Sequence, residues 1–174
     1  MSLSVHHSSV SAFEVSLTAF LGILEKAAAH AEAKKFDPNV YLGLRLRPDM
    51  LPFSRQVQNF CDNAKNASAR LAGVEAPRFE DNEASLAELA ERIAKTVEYL
   101  KSLDREAVDH GAAREIVFPV GPNKMKMQGA NYLLHFVLPN FYFHLTTAYD
   151  LLRDAGVEIG KRDFLGAVPG IAPS

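Results

Sequence analysis

The residues best suited to chemistry lie on one helix-forming stretch. Between Gly129 and Gly156 the apolar residues Leu133, Val137, Phe141, Ala148 and Leu151 recur at helical spacing. At roughly 100° per residue, His144 falls inside that stripe and Asn140 lies one turn earlier on the same face. An imidazole and a carboxamide therefore point where only hydrocarbon is expected. A second polar intruder, Gln56, sits at the edge of another apolar stripe, one turn before Phe60. An amide there must find a hydrogen-bond partner or reach a cavity.

Other reactive groups are sparse. The chain has six histidines, with no pair at i, i+4 and no HExxH or CxxC motif. His135 and His144 fall on opposite faces of one helix and cannot share a metal within one chain. His144 alone reads either as a core histidine satisfied by a neighbour or as a ligand-binding group. The lone cysteine, Cys61, lies on an apolar stripe and reads as a buried structural thiol. A folded Cys61–His144 dyad is geometrically conceivable but not favoured. There is no G-x-S-x-G elbow and no phosphate loop ending in GK[ST]. Arg45 and Arg47 alternate with Leu44 and Leu46, as in an extended crossover pinned by its leucines. The functional alternative is an anion site in which one of these arginines stands at a pocket mouth.

Composition narrows the class. A chain of 174 residues that is 48% hydrophobic and 23% charged is long enough for one domain with a real core. The net charge of −2 leaves no electrostatic footprint for nucleic acid or an acidic membrane surface. No apolar run approaches the ~20 residues of a membrane span, and MSLSVHHSSV lacks the pattern of a secretory signal. One cysteine rules out an intramolecular disulfide, and a cytoplasmic location is expected.

The elements that must position these residues follow from periodicity. Helices are predicted over about 10–34, from Pro48 or Met50 to Ala72, from Asn82 or Ser85 to about Leu103, and over 129–156. Asp49 is a candidate cap for the second, Ser85 with Glu88 a capping box for the third. Gly73 and Gly156 are placed to end the second and fourth. The third helix carries Glu83, Glu88, Glu91, Lys95 and Glu98 outward and no evident chemistry. Between it and the last helix, REIVFPV, GPN and KMKMQ read as a hairpin with strands near 115–119 and 124–127, its Met125 and Met127 lidding the core. Pro139 removes the backbone hydrogen bond to His135, so a kink is expected there. The tail from Val157 is too rich in Gly and Pro for another helix, with Phe164 and Leu165 anchoring it and residues 166–174 loose. The last helix is apolar or aromatic nearly all round, so its second face, bearing His135, Tyr142 and Tyr149, must be covered by the hairpin and tail or by another chain. A homodimer is favoured. The architecture is all-α: residues 1–174 form one four-helix bundle with a small hairpin before the last long helix.

MLPFSRQVQ and the later run LHFVLPNFYFHLTTAYDLLRDAGVEIGKRDFLG resemble a group of uncharacterised bacterial proteins in the DinB/YfiT-like superfamily. The resemblance spans nearly the whole chain. It implies an up-down-down-up four-helix bundle, often dimeric. It also implies a site where many members hold a divalent metal through one histidine of the second helix and an HxxxH pair of the last. Some members use low-molecular-weight thiols as isomerases or transferases. Here Gln56 stands at the second-helix position and Asn140 with His144 at the pair, so one of three ligands survives. Two amide oxygens and one imidazole make a poor site for Zn or Ni.

Three functions follow. The favoured one is a small-ligand pocket of Gln56, Asn140 and His144 in the bundle core, without a strong metal site. The second is a divalent-metal- and thiol-dependent transferase or isomerase, in which His144 would be the metal ligand. The third is a non-catalytic dimeric interaction protein whose polar triad is a closed network.

Overall fold

The computed structural model describes residues 4–171. The first residues of the leader reading and the end of the tail expected to be loose, 1–3 and 172–174, lie outside the described residues. Four long helices carry the fold: α1 (Ala12–Lys34), α2 (Phe53–Ala72), α3 (Leu86–Ser102) and α6 (Leu138–Asp154). Shorter pieces are α4 (Arg105–Asp109), α5 (Gly129–Asn131) and α7 (Lys161–Leu165), with an antiparallel ribbon of β1 (Glu115–Val120) and β2 (Asn123–Gln128).

Burial explains the pairing. The apolar stripe of α1 buries Phe13, Leu17, Phe20 and Leu24, with α1 packed on α3 and α2 packed on α3 and α6. Aromatic rings join three helices at the centre. Phe20 meets Phe60 at 5.0 Å between ring centroids, Phe60 meets Phe141 at 6.2 Å, and Phe141 meets Phe13 at 4.6 Å. These spacings suit edge-on and tilted ring contacts. The helix from His7 to Lys34 is long and apolar enough to pass a composition test for a membrane span, which corrects the expectation that no stretch does. Its apolar side is the one buried in this core, which accounts for that composition.

Several boundaries differ from the sequence reading. Helix α2 begins at Phe53, with extended Pro52 before it and no side-chain cap, so Asp49 caps nothing. Residues 44–52 instead form an irregular loop, preceded by a 3-10 turn at Pro38–Gly43 that Asp37 caps by accepting from Asn39 N–H. The tail does form a helix, α7. Its Asp163 accepts from Gly160 N–H at 2.8 Å and from Lys26 Nζ at 2.6 Å, tying a five-residue helix to α1. Phe164 meets Tyr149 edge-on at 5.5 Å between ring centroids, whereas Leu165 is exposed.

Other expectations hold. Gly73 and Gly156 are left-handed at the ends of α2 and α6. The Ser85 hydroxyl accepts from Glu88 N–H, while the Glu88 carboxylate reaches back to Ala84 N–H. The ribbon forms where it is expected, one residue longer at the end of β1 and at both ends of β2, with Ile116 and Phe118 turned inward. Met127 packs on the core as expected, but Met125 does not lid it and is exposed.

Ahead of Pro139 the backbone widens into a π-helical turn, Tyr132–Val137, and Pro139 falls in the first turn of α6. This wider turn stands at the place where a kink was expected, and it absorbs the missing proline donor.

Candidate functional site

Gln56 and His144 converge from α2 and α6. The Gln56 side chain is 1% exposed. Its Nε2 donates to the Leu51 carbonyl at 3.1 Å, and its Oε1 lies 2.7 Å from His144 Nδ1. The amide orientation is thereby fixed, because turning it over would set Oε1 against the Leu51 carbonyl oxygen. An amide oxygen only accepts, so His144 Nδ1 carries the proton and donates. Burial lowers the His144 pKa, which favours the neutral ring. A neutral ring protonated at Nδ1 leaves Nε2 as a lone pair. Nε2 has no hydrogen-bond partner among the described residues, yet is not among the atoms sealed from solvent.

Asn140 does not join the pair. It lies one turn before His144, but its Nδ2 donates to the Phe136 carbonyl of its own helix at 2.6 Å. It supplies a donor where the π-turn meets α6 and the backbone ladder is irregular. Arg45 and Arg47 are exposed on the 44–52 loop. Arg45 donates to the Met50 carbonyl, and Leu44 is partly buried. Cys61 is fully buried, and burial pushes its thiol up to about 12. That thiol is no nucleophile near neutral pH.

These donors do not suit the divalent metal that the superfamily resemblance implies. Both polar atoms of the Gln56 amide are already bonded, and Asn140 keeps only its carbonyl oxygen. His144 Nε2 is the one strong ligand atom left. No group of three or more His, Cys, Asp or Glu side chains among the described residues could hold a metal ion.

A larger polar cluster escaped the sequence reading. Arg92 of α3 is 2% exposed and donates to Glu83 (2.8 Å), Asp62 (3.0 Å) and the Glu80 carbonyl (3.0 Å), with Asp81 also 3.0 Å away. Lys65, on α2 and 3% exposed, pairs with Asp62 and sits 4.2 Å over the Phe79 ring. Gln58 donates to Glu83, and Arg55 bridges Gln58 and Asp81. Glu83 therefore points inward, against the expectation of an outward carboxylate. Burial alone would raise its pKa, but hydrogen bonds from Arg92 and Gln58 outweigh that and hold it below the ordinary value. The cluster pins the 74–85 loop to α2 and α3. One sequence signal could have found it: Arg92 sits at an i+3 position of the Leu89–Ile93–Thr96 stripe, where a charge must be paired.

Among the clefts of the described residues are five of 340 to 550 Å³, none of them lined by Gln56, Asn140 or His144. A cleft of 410 Å³ lies over the Arg92 cluster.

Comparison with known proteins places the chain. Residues 5–165 match the family model described as a domain of unknown function, DUF1993. The chain belongs to that family. It is also similar to a crystal structure of a DinB family member protein from Shewanella denitrificans, at 40% identity and a TM-score of 0.89, covering 97% of this chain and 95% of that one. No curated protein matches the chain. In this DUF1993 protein, then, the imidazole of α6 is held from α2 by an amide.

Proposed function

We propose that this DUF1993 protein binds a small ligand at His144, through an imidazole held by Gln56 and without a strong metal site. The bond that carries the reading is Gln56 Oε1 to His144 Nδ1 at 2.7 Å. It leaves Nε2 an acceptor with no partner among the described residues, on a partly buried ring. The ligand is one that brings a donor hydrogen, such as a low-molecular-weight thiol, a protonated acid or an amide. Asn140 contributes its free carbonyl oxygen one turn away. The scaffold that we infer is the up-down-down-up four-helix bundle of α1, α2, α3 and α6, in a cytoplasmic protein of one domain.

A thermal-shift screen of small thiols, acids and divalent metals on wild type and His144→Ala tests the reading. A ligand at 100 times its Kd stabilises by about 2.7 kcal/mol. That shift is expected in wild type and absent in His144→Ala. A full shift retained in His144→Ala places binding elsewhere. A stoichiometric Zn or Ni bound through His144 would favour the metalloenzyme alternative.

A second reading, a homodimer, is favoured by one observation. The ribbon covers Phe136 through Phe118 and the tail covers Tyr149 through Phe164. Leu134, just ahead of α6, and Tyr142 and Phe143 on it stay 53%, 38% and 56% exposed. Exposed apolar and aromatic side chains of that kind fit a second copy of the chain.

A further inference from the structure

We infer that the loop of residues 44–52 decides which nitrogen of His144 carries its proton, with Arg45 as the positioning residue. The inference rests on the reading of His144 Nε2 as the ligand-facing atom.

The loop is closed on itself by a short series of bonds. Phe53 N–H donates to the Leu44 carbonyl at 2.9 Å, and Met50 N–H donates to the Arg47 carbonyl at 3.0 Å. The Arg45 guanidinium donates to the Met50 carbonyl. The next carbonyl along the chain, that of Leu51, accepts from Gln56 Nε2. Leu51 precedes Pro52, which keeps it out of the helical region. Arg45 therefore holds the peptide next to the one that Gln56 reads. The Gln56 backbone is fixed separately, its N–H bonding the Pro52 carbonyl at 3.0 Å.

Two arrangements of the buried amide are open to it. With the loop seated, Nε2 faces Leu51 and Oε1 faces His144, so the ring is protonated at Nδ1 and Nε2 accepts. With the amide turned over, its NH2 group faces Nδ1, the ring proton moves to Nε2, and Nε2 becomes a donor. Turning over against a seated loop loses the Leu51 bond and opposes two carbonyl oxygens. With the loop lifted, that bond is already gone and the two arrangements come close in energy. Loop position thus tunes the ligand: donor-bearing molecules when seated, carbonyl or carboxylate groups as well when lifted. Among the described residues, no other bond to the Gln56 side chain favours one amide orientation.

The test is the ring-nitrogen NMR signature of His144 in unliganded protein, at a pH where the ring is neutral. Wild type is expected to show protonation at Nδ1. In Arg45→Ala the ratio of the Nδ1–H to the Nε2–H form should fall about tenfold, the equivalent of one lost hydrogen bond. Arg45→Lys, which keeps a donor, should restore most of it. Gln56→Leu, which removes the amide, should abolish the bias and make Arg45→Ala silent in that background. A wild-type ring protonated at Nε2, or a tautomer ratio unchanged in Arg45→Ala, overturns the inference. No ligand is present, so the outcome is separate from whether His144 binds one.

Discussion

Replacing Arg92 by methionine removes the cation on which the α2–α3 cluster converges. Arg92 is 2% exposed and faces Asp62, Asp81 and Glu83, whose side chains are 32%, 34% and 10% exposed. Breaking a buried ion pair by deleting one partner costs about 3–5 kcal/mol, because the other charge stays behind. Asp62 and Asp81 are near enough to water to rehydrate, and Lys65 and Arg55 still pair with them. Glu83 is not so placed, so the cost rests on one stranded carboxylate and comes to about 2–4 kcal/mol. For a domain of this size that lowers the Tm by roughly 5–15 °C. Urea unfolding of wild type, Arg92→Met, Glu83→Gln and the double variant measures it, and the double variant should recover part of the loss. The penalty also depends on pH. The Glu83 pKa is lower folded than unfolded, so its contribution is full above the unfolded value and is lost as pH falls through the folded one. The gap between wild type and Arg92→Met should therefore close in acid, below about pH 4. A variant within 0.5 kcal/mol of wild type at neutral pH, or a gap that persists in acid, would refute the reasoning.

Three further outcomes are expected. Native protein at pH 8 should leave Cys61 unmodified by a thiol reagent and yield one reactive thiol only after unfolding, since burial holds that thiol at about 12. Gly166→Ala should destabilise by about 1–3 kcal/mol in urea, because Gly166 has φ +61° and ψ −150° and a Cβ there would lie 2.7 Å from that of Ala19. Phe143→Glu, at an exposed aromatic of α6, should leave the fold intact by circular dichroism. In sedimentation it should turn a dimer into a monomer.

Periodicity made the four long helices legible, because each must bury one apolar face and the sequence writes that face out. It also marked Gln56 and His144 as polar groups on apolar stripes, and the structure joins them. It misled at Asn140. Sharing a face with His144 says nothing of which acceptor the amide will use, and the nearest one lay in its own helix at Phe136. The Arg92 cluster was illegible for a related reason. Its acids come from α2 and from a loop, 9 to 30 residues away in sequence, so each charge read singly resembles a solvated one. The start of α2 was misplaced because Pro48 and Pro52 are equally good helix openers. Only the bonds that close the 44–52 loop decide for the later one. Helix α7 was missed because its five residues are held by a tertiary contact, Asp163 to Lys26, that no local pattern contains.

The most direct measurement is the imidazole resonance of His144 in wild type titrated with small thiols and acids, set beside the stability of His144→Ala. The expected result is a saturable shift at Nε2 for at least one of these ligands, lost when His144 is replaced. Replacing His144 strands the buried Gln56 oxygen whether or not a ligand binds, so a loss of about 1–3 kcal/mol is expected with it. The contrary result is an imidazole that no ligand perturbs, which would make Gln56 and His144 a closed core network, with no ligand to hold.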